Sequence, residues 1–259
     1  MNDYALYAPF YDWQTKGLPG DVDFYVEEAQ QAGSPVLELG CGSGRVLLPT
    51  AEAGLQIVGL DNSPEMLALA RAKLSQLPAE TQARVQFIEA DIRDFHLGRA
   101  FKLITIPLRS FLHLHTPTDQ RQALACIHEH LADDGRLIFN IFDPRAESLA
   151  QYKDFHGSAP KRVGEFIHPD TGRKFLLWAS LQYDLEAQLM DQLLSFEELD
   201  DQNRVLSKTH IPIKLRFVHR YEMQYLLETC GFTVEALFGD FKRGPFKYGS
   251  EQIWVARKK

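Results

Sequence analysis

Glu38 stands inside the apolar run Val36-Leu37-Glu38-Leu39, and the chain continues Gly40-Cys41-Gly42-Ser43-Gly44-Arg45. A lone carboxylate in an apolar run, followed by glycines on alternate positions, is a pattern that can hold a ligand. The apolar run reads as a buried strand, and the residues after it read as the start of a helix. Helix starts carry unpaired backbone N–H groups and a positive dipole end, and glycine lets a ligand approach that backbone closely. The chemistry suggested is a nucleotide-like cofactor held at the carboxyl end of a parallel strand. An ordinary tight turn would use the same glycines. The usual dinucleotide pattern wants its third glycine where this chain has Arg45, and here that glycine is Gly44.

Two more carboxylates fall at comparable places. Asp61 ends a second apolar run, about 20 residues after the glycine turn, where a carboxylate can accept both hydroxyls of a ribose. It could also be an exposed acid leading into the helix that Ser63-Pro64 begins. With the glycine turn upstream the ribose role is the better reading, and Asn62 and Met66 then lie beside the adenosine. Asp91 follows a third run. Its carboxylate can accept from an adenine amino group while the backbone N–H of Ile92 donates to a ring nitrogen. A solvated acidic turn is the alternative, and the repetition at three successive strand ends favours the ligand.

The elements that must position these groups follow from periodicity and caps. Strands are expected over 35–40, 56–60, 85–89, 101–106 and 135–142, and helices over 21–32, 44–53, 64–76 and 118–131. Ser63 is a good N-cap with Pro64 at the first helical position, and Asp133-Asp134-Gly135 reads as the turn ending the 118–131 helix. The βαβα rhythm implies a mostly parallel sheet with helices on both faces. After Pro144 the rhythm changes to β-leaning runs over 162–167, 174–183, 188–197 and 205–216, with a turn at 168–172. These runs read as an antiparallel insert. A last helix over 221–230 and strands over 233–238 and 252–256 complete the sheet. Residues 1–20 are rich in aromatic and turn residues (Tyr4, Tyr7, Phe10, Tyr11, Trp13, Pro9, Gly17, Pro19, Gly20) and are expected to fold over something.

The run Glu38–Arg45, the Gly59-Leu60-Asp61-Asn62-Ser63-Pro64-Glu65-Met66-Leu67 segment and the Ala90-Asp91-Ile92-Arg93-Asp94-Phe95 segment together resemble the class I S-adenosylmethionine-dependent methyltransferases over residues 35–142. The resemblance implies a Rossmann-like, seven-stranded, mostly parallel sheet, and S-adenosyl-L-methionine as cofactor, with S-adenosyl-L-homocysteine as product. It places Glu38, Gly40, Gly42 and Arg45 near the methionine portion, with Arg45 able to pair with its carboxylate. Cys41, Gly44 and Pro107 complete the implied cofactor set. The layout of the flanks, including Tyr11-Asp12 and Gly17, is similar to glycine and sugar N-methyltransferases, which implies that Tyr11 lies over cofactor and substrate. The implied organisation is an aromatic lid over 1–20, a methyltransferase domain over 21–150 and 217–259, and an antiparallel insert over 151–216 before the last helix, covering the acceptor.

The fourth strand runs into Pro107-Leu108-Arg109-Ser110-Phe111-Leu112-His113-Leu114-His115, the loop that in such a fold faces the transferable methyl group. It lacks the Asp/Asn-Pro-Pro-aromatic run of nucleobase amino-methyltransferases. Arg109, His113 and His115 could bind an anionic acceptor or take a proton. An arginine among apolar residues needs a partner, and a histidine beside an apolar run can equally be structural. Tyr11, Arg109 and His113 are the candidate catalytic residues.

The chain has 259 residues, 45% of them hydrophobic and 24% charged, with a net charge of −7. Acidity argues against a nucleic-acid backbone as partner. Three cysteines without metal-ligand spacing suggest no metal centre and a reducing compartment. With no apolar run of membrane-spanning length and no leader-like start, the expected location is the cytoplasm, away from membranes. The expected function is methyl transfer to a small-molecule acceptor, best an amine, with a homodimer compatible. A protein or RNA methyltransferase, a NAD(P)-dependent oxidoreductase and a non-catalytic cofactor-binding regulator are the rivals.

Overall fold

The structure, a computed structural model, describes residues 3–152, 158–169 and 171–259. The parts of the expected N-terminal segment at 1–2, of the insert at 153–157, and of the 168–172 turn at Asp170 lie outside the described residues. In chain order the elements are α1 (Asp3–Gln14), α2 (Asp21–Ala32), β1 (Val36–Leu39), α3 (Leu47–Glu52), β2 (Ile57–Asp61), α4 (Pro64–Leu74), α5 (Ala79–Gln82), β3 (Val85–Glu89), β4 (Phe101–Ile106), α6 (Pro117–His130), β5 (Leu131–Phe142), α7 (Ala146–Gln151), β6 (Lys161–Ile167), β7 (Lys174–Asp184), β8 (Leu189–Leu199), β9 (Val205–Arg216), α8 (Arg220–Thr229), β10 (Phe232–Phe238) and β11 (Glu251–Lys258), with a 3-10 turn at Ser110–His113.

The chain divides into two compact units. One comprises residues 17–143 and 218–259, the other residues 1–16 and 144–217. The first holds a seven-stranded sheet in the order β10-β11-β5-β4-β1-β2-β3. Strands β5, β4, β1, β2 and β3 are parallel neighbours, and β11 and β10 are antiparallel additions at one edge. The chain moves outward from β1 to β2 and β3, then returns to β4 and β5 on the other side. Right-handed crossovers therefore put the helices of the two halves on opposite faces, and the reversal leaves a crevice at the carboxyl ends of β1 and β4. β1 is buried along its whole length and β4 at all positions but Lys102, as strands covered on both faces must be. Phe24 and Tyr25 of α2 and Val46 and Leu47 beyond the glycine turn pack in one core with Leu103, Ile138 and Ile253.

Capping sets the helix starts. The Ser63 side chain accepts the Met66 N–H with Pro64 in the first turn, as its sequence indicates. Thr116 and Asp119 form a reciprocal capping box on α6. α3 begins at Leu47, three residues later than expected, because Gly44 sits at φ 81 and the chain is still turning there. The Asp133-Asp134-Gly135 turn does not precede β5 but lies within it. Leu131 pairs with Phe101, the register then shifts, and Arg136 pairs with Leu103, so these residues bulge from a strand already begun.

The second unit is a four-stranded antiparallel sheet, β6-β7-β8-β9, with α1 packed on it. α1 had no helical expectation. Its aromatic residues carry the packing: Phe10 stacks on Phe196 at 4.3 Å between ring centroids, and Trp13 meets Phe166 at 4.5 Å and Phe175 at 5.4 Å. Among the described residues no helix is long and apolar enough to cross a membrane.

Candidate active site

The glycine turn is built at the carboxyl end of β1. The N–H groups of Gly40 and Cys41 both donate to the Leu60 carbonyl, at 2.8 and 3.1 Å, which fastens the turn to β2. Gly40 and Gly42 have φ of 68 and 53, in the left-handed region that glycine adopts without penalty. A Cβ at Gly40 would come within 2.8 Å of the Ser110 side chain, and one at Gly42 within 3.2 Å of the Met66 methyl. Asp61 ends β2 with its carboxylate spread over two loops, one oxygen accepting the Gly42 N–H at 2.7 Å and the other the Ser63 N–H at 2.9 Å. Burial pushes the Asp61 carboxyl upward, and these backbone N–H groups oppose the shift. Cys41 is buried, with its thiol pushed well above the ordinary range, so it packs and stays protonated. Gly44 lies over Leu48, Met66 is buried beside Gly42, and Asn62 is exposed at the tip between β2 and α4.

Behind the turn, Glu38 is 2% exposed, and its Oε2 has no hydrogen-bond partner among the described residues. Burial raises its carboxyl to about 8, against the opposing charge of Arg45. Arg45 places its fork on Asp21 at the start of α2, Nη1 to Oδ1 at 2.9 Å and Nη2 to Oδ2 at 2.7 Å. The expectation that Arg45 is available for a ligand carboxylate is thereby modified, since its bidentate face serves Asp21. Any side chain at Gly17 would overlap the Arg45 guanidinium, with a Cβ only 2.1 Å from Nη1.

At the third loop Asp91 is held by its own neighbour. Its oxygens accept Arg93 Nη2 at 2.6 Å, Nε at 2.9 Å and the backbone N–H at 2.8 Å, and these bonds hold the carboxyl below its usual range. Arg93 also reaches Asp119, which ties the loop to α6. Ile92 is half-buried between them.

The loop after β4 has an unusual backbone. Pro107 is buried, and Leu108 and Arg109 follow at φ 50 and 68, two consecutive non-glycine residues in the left-handed region. Such residues cost about 1–3 kcal/mol each and persist where surrounding contacts fix them. The Leu108 N–H donates to Asn140 Oδ1 at 2.9 Å. Arg109 pairs with Glu251 through its Nη2 and lies over the Phe142 ring. His113, in the 3-10 turn, is pushed down to about 4 by burial and by His115, so its imidazole is neutral near pH 7. Tyr11 belongs to the other unit, on α1, with its ring against Tyr7. Among the described residues no group of three or more His, Cys, Asp or Glu is placed to hold a metal ion. Sequence reasoning did not find Asp21, Asn140, Ser110 or Glu251. Of these only Asp21, an acid directly after Gly20 at a helix start, carried a local signal.

A methyltransferase-domain family model matches residues 36–135, which spans the glycine turn, Asp61 and Asp91. The chain is 30% identical over 254 residues to a glycine/sarcosine N-methyltransferase of Parasynechococcus marenigrum, covering 95% of this chain and 79% of that one. The chain belongs to the S-adenosylmethionine-dependent methyltransferases. In fold the methyltransferase is similar to CcbJ from Streptomyces caelestis, with a TM-score of 0.78, 20% identity and coverage of 96% and 100% of the two chains. It is also similar to the sugar N-methyltransferase KedS8 from Streptoalloteichus sp., with a TM-score of 0.71, 20% identity and coverage of 98% and 93%.

The methyltransferase's own residues fit S-adenosylmethionine. At Gly40 and Gly42 a Cβ would press on Ser110 and on the Met66 methyl, so the turn keeps a bare backbone that a ligand can approach closely. Glu38 Oε2 is buried with no hydrogen-bond partner among the described residues, and once ionised it suits a cationic group. Asp61 presents an oriented carboxylate beside that turn.

Proposed function

We propose that the methyltransferase methylates the nitrogen of a small-molecule amine by in-line displacement at a cytoplasmic location. S-adenosylmethionine supplies a methyl group carried on a sulfonium and leaves as S-adenosylhomocysteine. Within the proposal Glu38 and the turn Gly40–Gly44 hold the methionine portion, Asp61, Asn62 and Met66 the ribose side, and Asp91 and Ile92 the adenine. Pro107 joins the cofactor set, and Leu108 to His113 face the acceptor.

The observation that carries the amine is the state of the loop after β4. A hydroxyl acceptor needs a base with a pKa near the working pH. His113, one of the two candidate bases, is pushed down to about 4 by burial and by His115, which makes it a weak base. Arg109, the candidate anion binder, already has its charge answered by Glu251. A site that positions and desolvates suits a nucleophile arriving with its own lone pair; alignment alone supplies on the order of 7–11 kcal/mol in the best-oriented cases. The names of the relatives, a glycine/sarcosine and a sugar N-methyltransferase, support the same acceptor class.

The test is methyl transfer from labelled S-adenosylmethionine to a panel containing glycine, sarcosine and an amino sugar, each beside its hydroxyl counterpart. Transfer to at least one amine and to no hydroxyl counterpart is expected. Transfer confined to hydroxyl compounds or to a protein substrate would overturn the reading.

A further inference from the structure

Glu251 lies on β11, far along the chain from every motif at the carboxyl ends of β1 to β4. Its carboxylate nevertheless reaches that edge of the sheet. Oε1 takes Arg109 Nη2, and Oε2 accepts both Arg109 Nε at 3.4 Å and Asn140 Nδ2 at 2.9 Å. Asn140, fully buried on β5, turns its Oδ1 to two donors, the Leu108 N–H at 2.9 Å and the Tyr25 hydroxyl at 2.9 Å. The two left-handed residues of the loop are thus gripped at separate points, Leu108 by its backbone through Asn140 and Arg109 by its side chain. The grip has a consequence one residue further on. Ser110, whose N–H and Oγ both bond the Pro107 carbonyl, closes the turn and lies directly against Gly40 of the glycine turn.

From this chain of contacts we infer that Glu251, acting with Asn140, is the positioning residue for the acceptor-facing loop: it holds Leu108 and Arg109 in their left-handed form and so fixes the acceptor's place against the cofactor's glycine turn. The inference rests on the reading above, that this loop faces the acceptor. Arg109 and Glu251 are then a matched internal pair that leaves neither charge for the substrate, and Arg109 serves as a handle on the loop.

Hydrogen exchange on the full-length chain, followed by peptide across the whole sequence, tests the grip in Glu251→Ala and, should that variant fold poorly, in Glu251→Gln. Glu251→Ala removes the bonds to both Arg109 and Asn140, and loss of even one charged hydrogen bond implies exchange faster by roughly tenfold or more at 107–113, with β1 and β2 as in the wild type. Glu251→Gln, which keeps one acceptor, should be intermediate. Unchanged exchange at 107–113, or acceleration spread equally over the molecule, overturns the inference. With whichever panel compound the wild type methylates, kcat should fall by about a hundredfold, as a misplacement of an ångström does. S-adenosylhomocysteine affinity should stay near the wild-type value. A fall in affinity with kcat intact would also overturn it. The exchange result does not depend on the acceptor, so failure of the amine reading and failure of the grip are told apart.

Discussion

The carboxylate of Asp61 accepts the backbone N–H of Gly42 at 2.7 Å, so the acid that ends β2 also secures the turn that ends β1. Its other oxygen takes the Ser63 N–H at the start of α4. Asp61→Ala therefore does more than remove a ligand contact. Two backbone N–H groups lose their acceptor, and a stability loss of about 1–3 kcal/mol is expected in urea denaturation. S-adenosylhomocysteine affinity should fall roughly tenfold or more, since a hydrogen bond to a charged group is worth about 1.5–3 kcal/mol. Undiminished affinity by calorimetry would remove Asp61 from the cofactor site.

Glu38 makes folding pH-dependent. Its carboxyl stands at about 8 in the folded chain against an ordinary 4.5, so between those values the folded state holds a proton that the unfolded state has lost. Stability from this group is present below 4.5 and declines as pH rises through 8. Glu38→Gln carries no ionisable group and should flatten that slope. Denaturation midpoints measured on both sides of the window, in both proteins, decide it; parallel pH dependences would show that Glu38 ionises normally.

The same carboxyl should couple cofactor binding to proton release. A cationic group set against the open Oε2 favours the ionised form, so affinity for S-adenosylmethionine should climb with pH and level off above about 8. Calorimetry in buffers of different ionisation enthalpy reads the released proton directly. Binding without proton exchange below that pH would mean that Glu38 does not meet the cation.

The Arg45–Asp21 pair is nearly closed to solvent, with side chains 17% and 3% exposed. Asp21→Asn leaves a mostly buried guanidinium facing a neutral group, for which a destabilisation of about 3 kcal/mol is expected. Arg45→Lys cannot fork and should lose part of the same energy. A double-mutant cycle in urea measures the coupling, and additive single effects would show the pair to be incidental.

Phe196 is 1% exposed beneath Phe10 of α1. Phe196→Ala should cost about 3–5 kcal/mol in the antiparallel unit. Deleting residues 1–16 uncovers the same ring, so the shortened chain should unfold at lower denaturant concentration, quite apart from any change in turnover. An unshifted midpoint would show that α1 adds nothing to that unit.

β1, β2 and β4 were legible because burial on both faces leaves nearly continuous apolar runs, and the start of α4 because Ser63-Pro64 encodes its own cap. α1 was not, since aromatic residues surround it and Pro9 interrupts it, leaving no polar face to mark a helical period. The start of β5 was misread because Asp133-Asp134-Gly135 has turn composition yet only bulges the strand. Within the candidate site the glycine turn and the acids at three strand ends were visible as local spacing. The partners that fix them were not. Asp21 lies 24 positions from Arg45, and Glu251 lies 142 positions from Arg109, so only the fold brings each pair together. Arg93 was the exception, two residues from the Asp91 that it holds, and that pairing could have been read.

Both compact units are assembled from separated stretches of chain, 1–16 with 144–217 and 17–143 with 218–259. During synthesis at 5–20 residues per second, α1 is made on the order of 10–40 s before the strand that carries Phe196. Its tyrosines, Phe10 and Trp13 must wait through that interval without their partner surface. The seven-stranded sheet likewise lacks β10 and β11 until the final stretch emerges, so Arg109 is translated long before the acid that answers it. The antiparallel unit has its last residue at 217, so it can finish folding while β10 and β11 are still to be made, and the seven-stranded sheet is the part of the molecule that closes last.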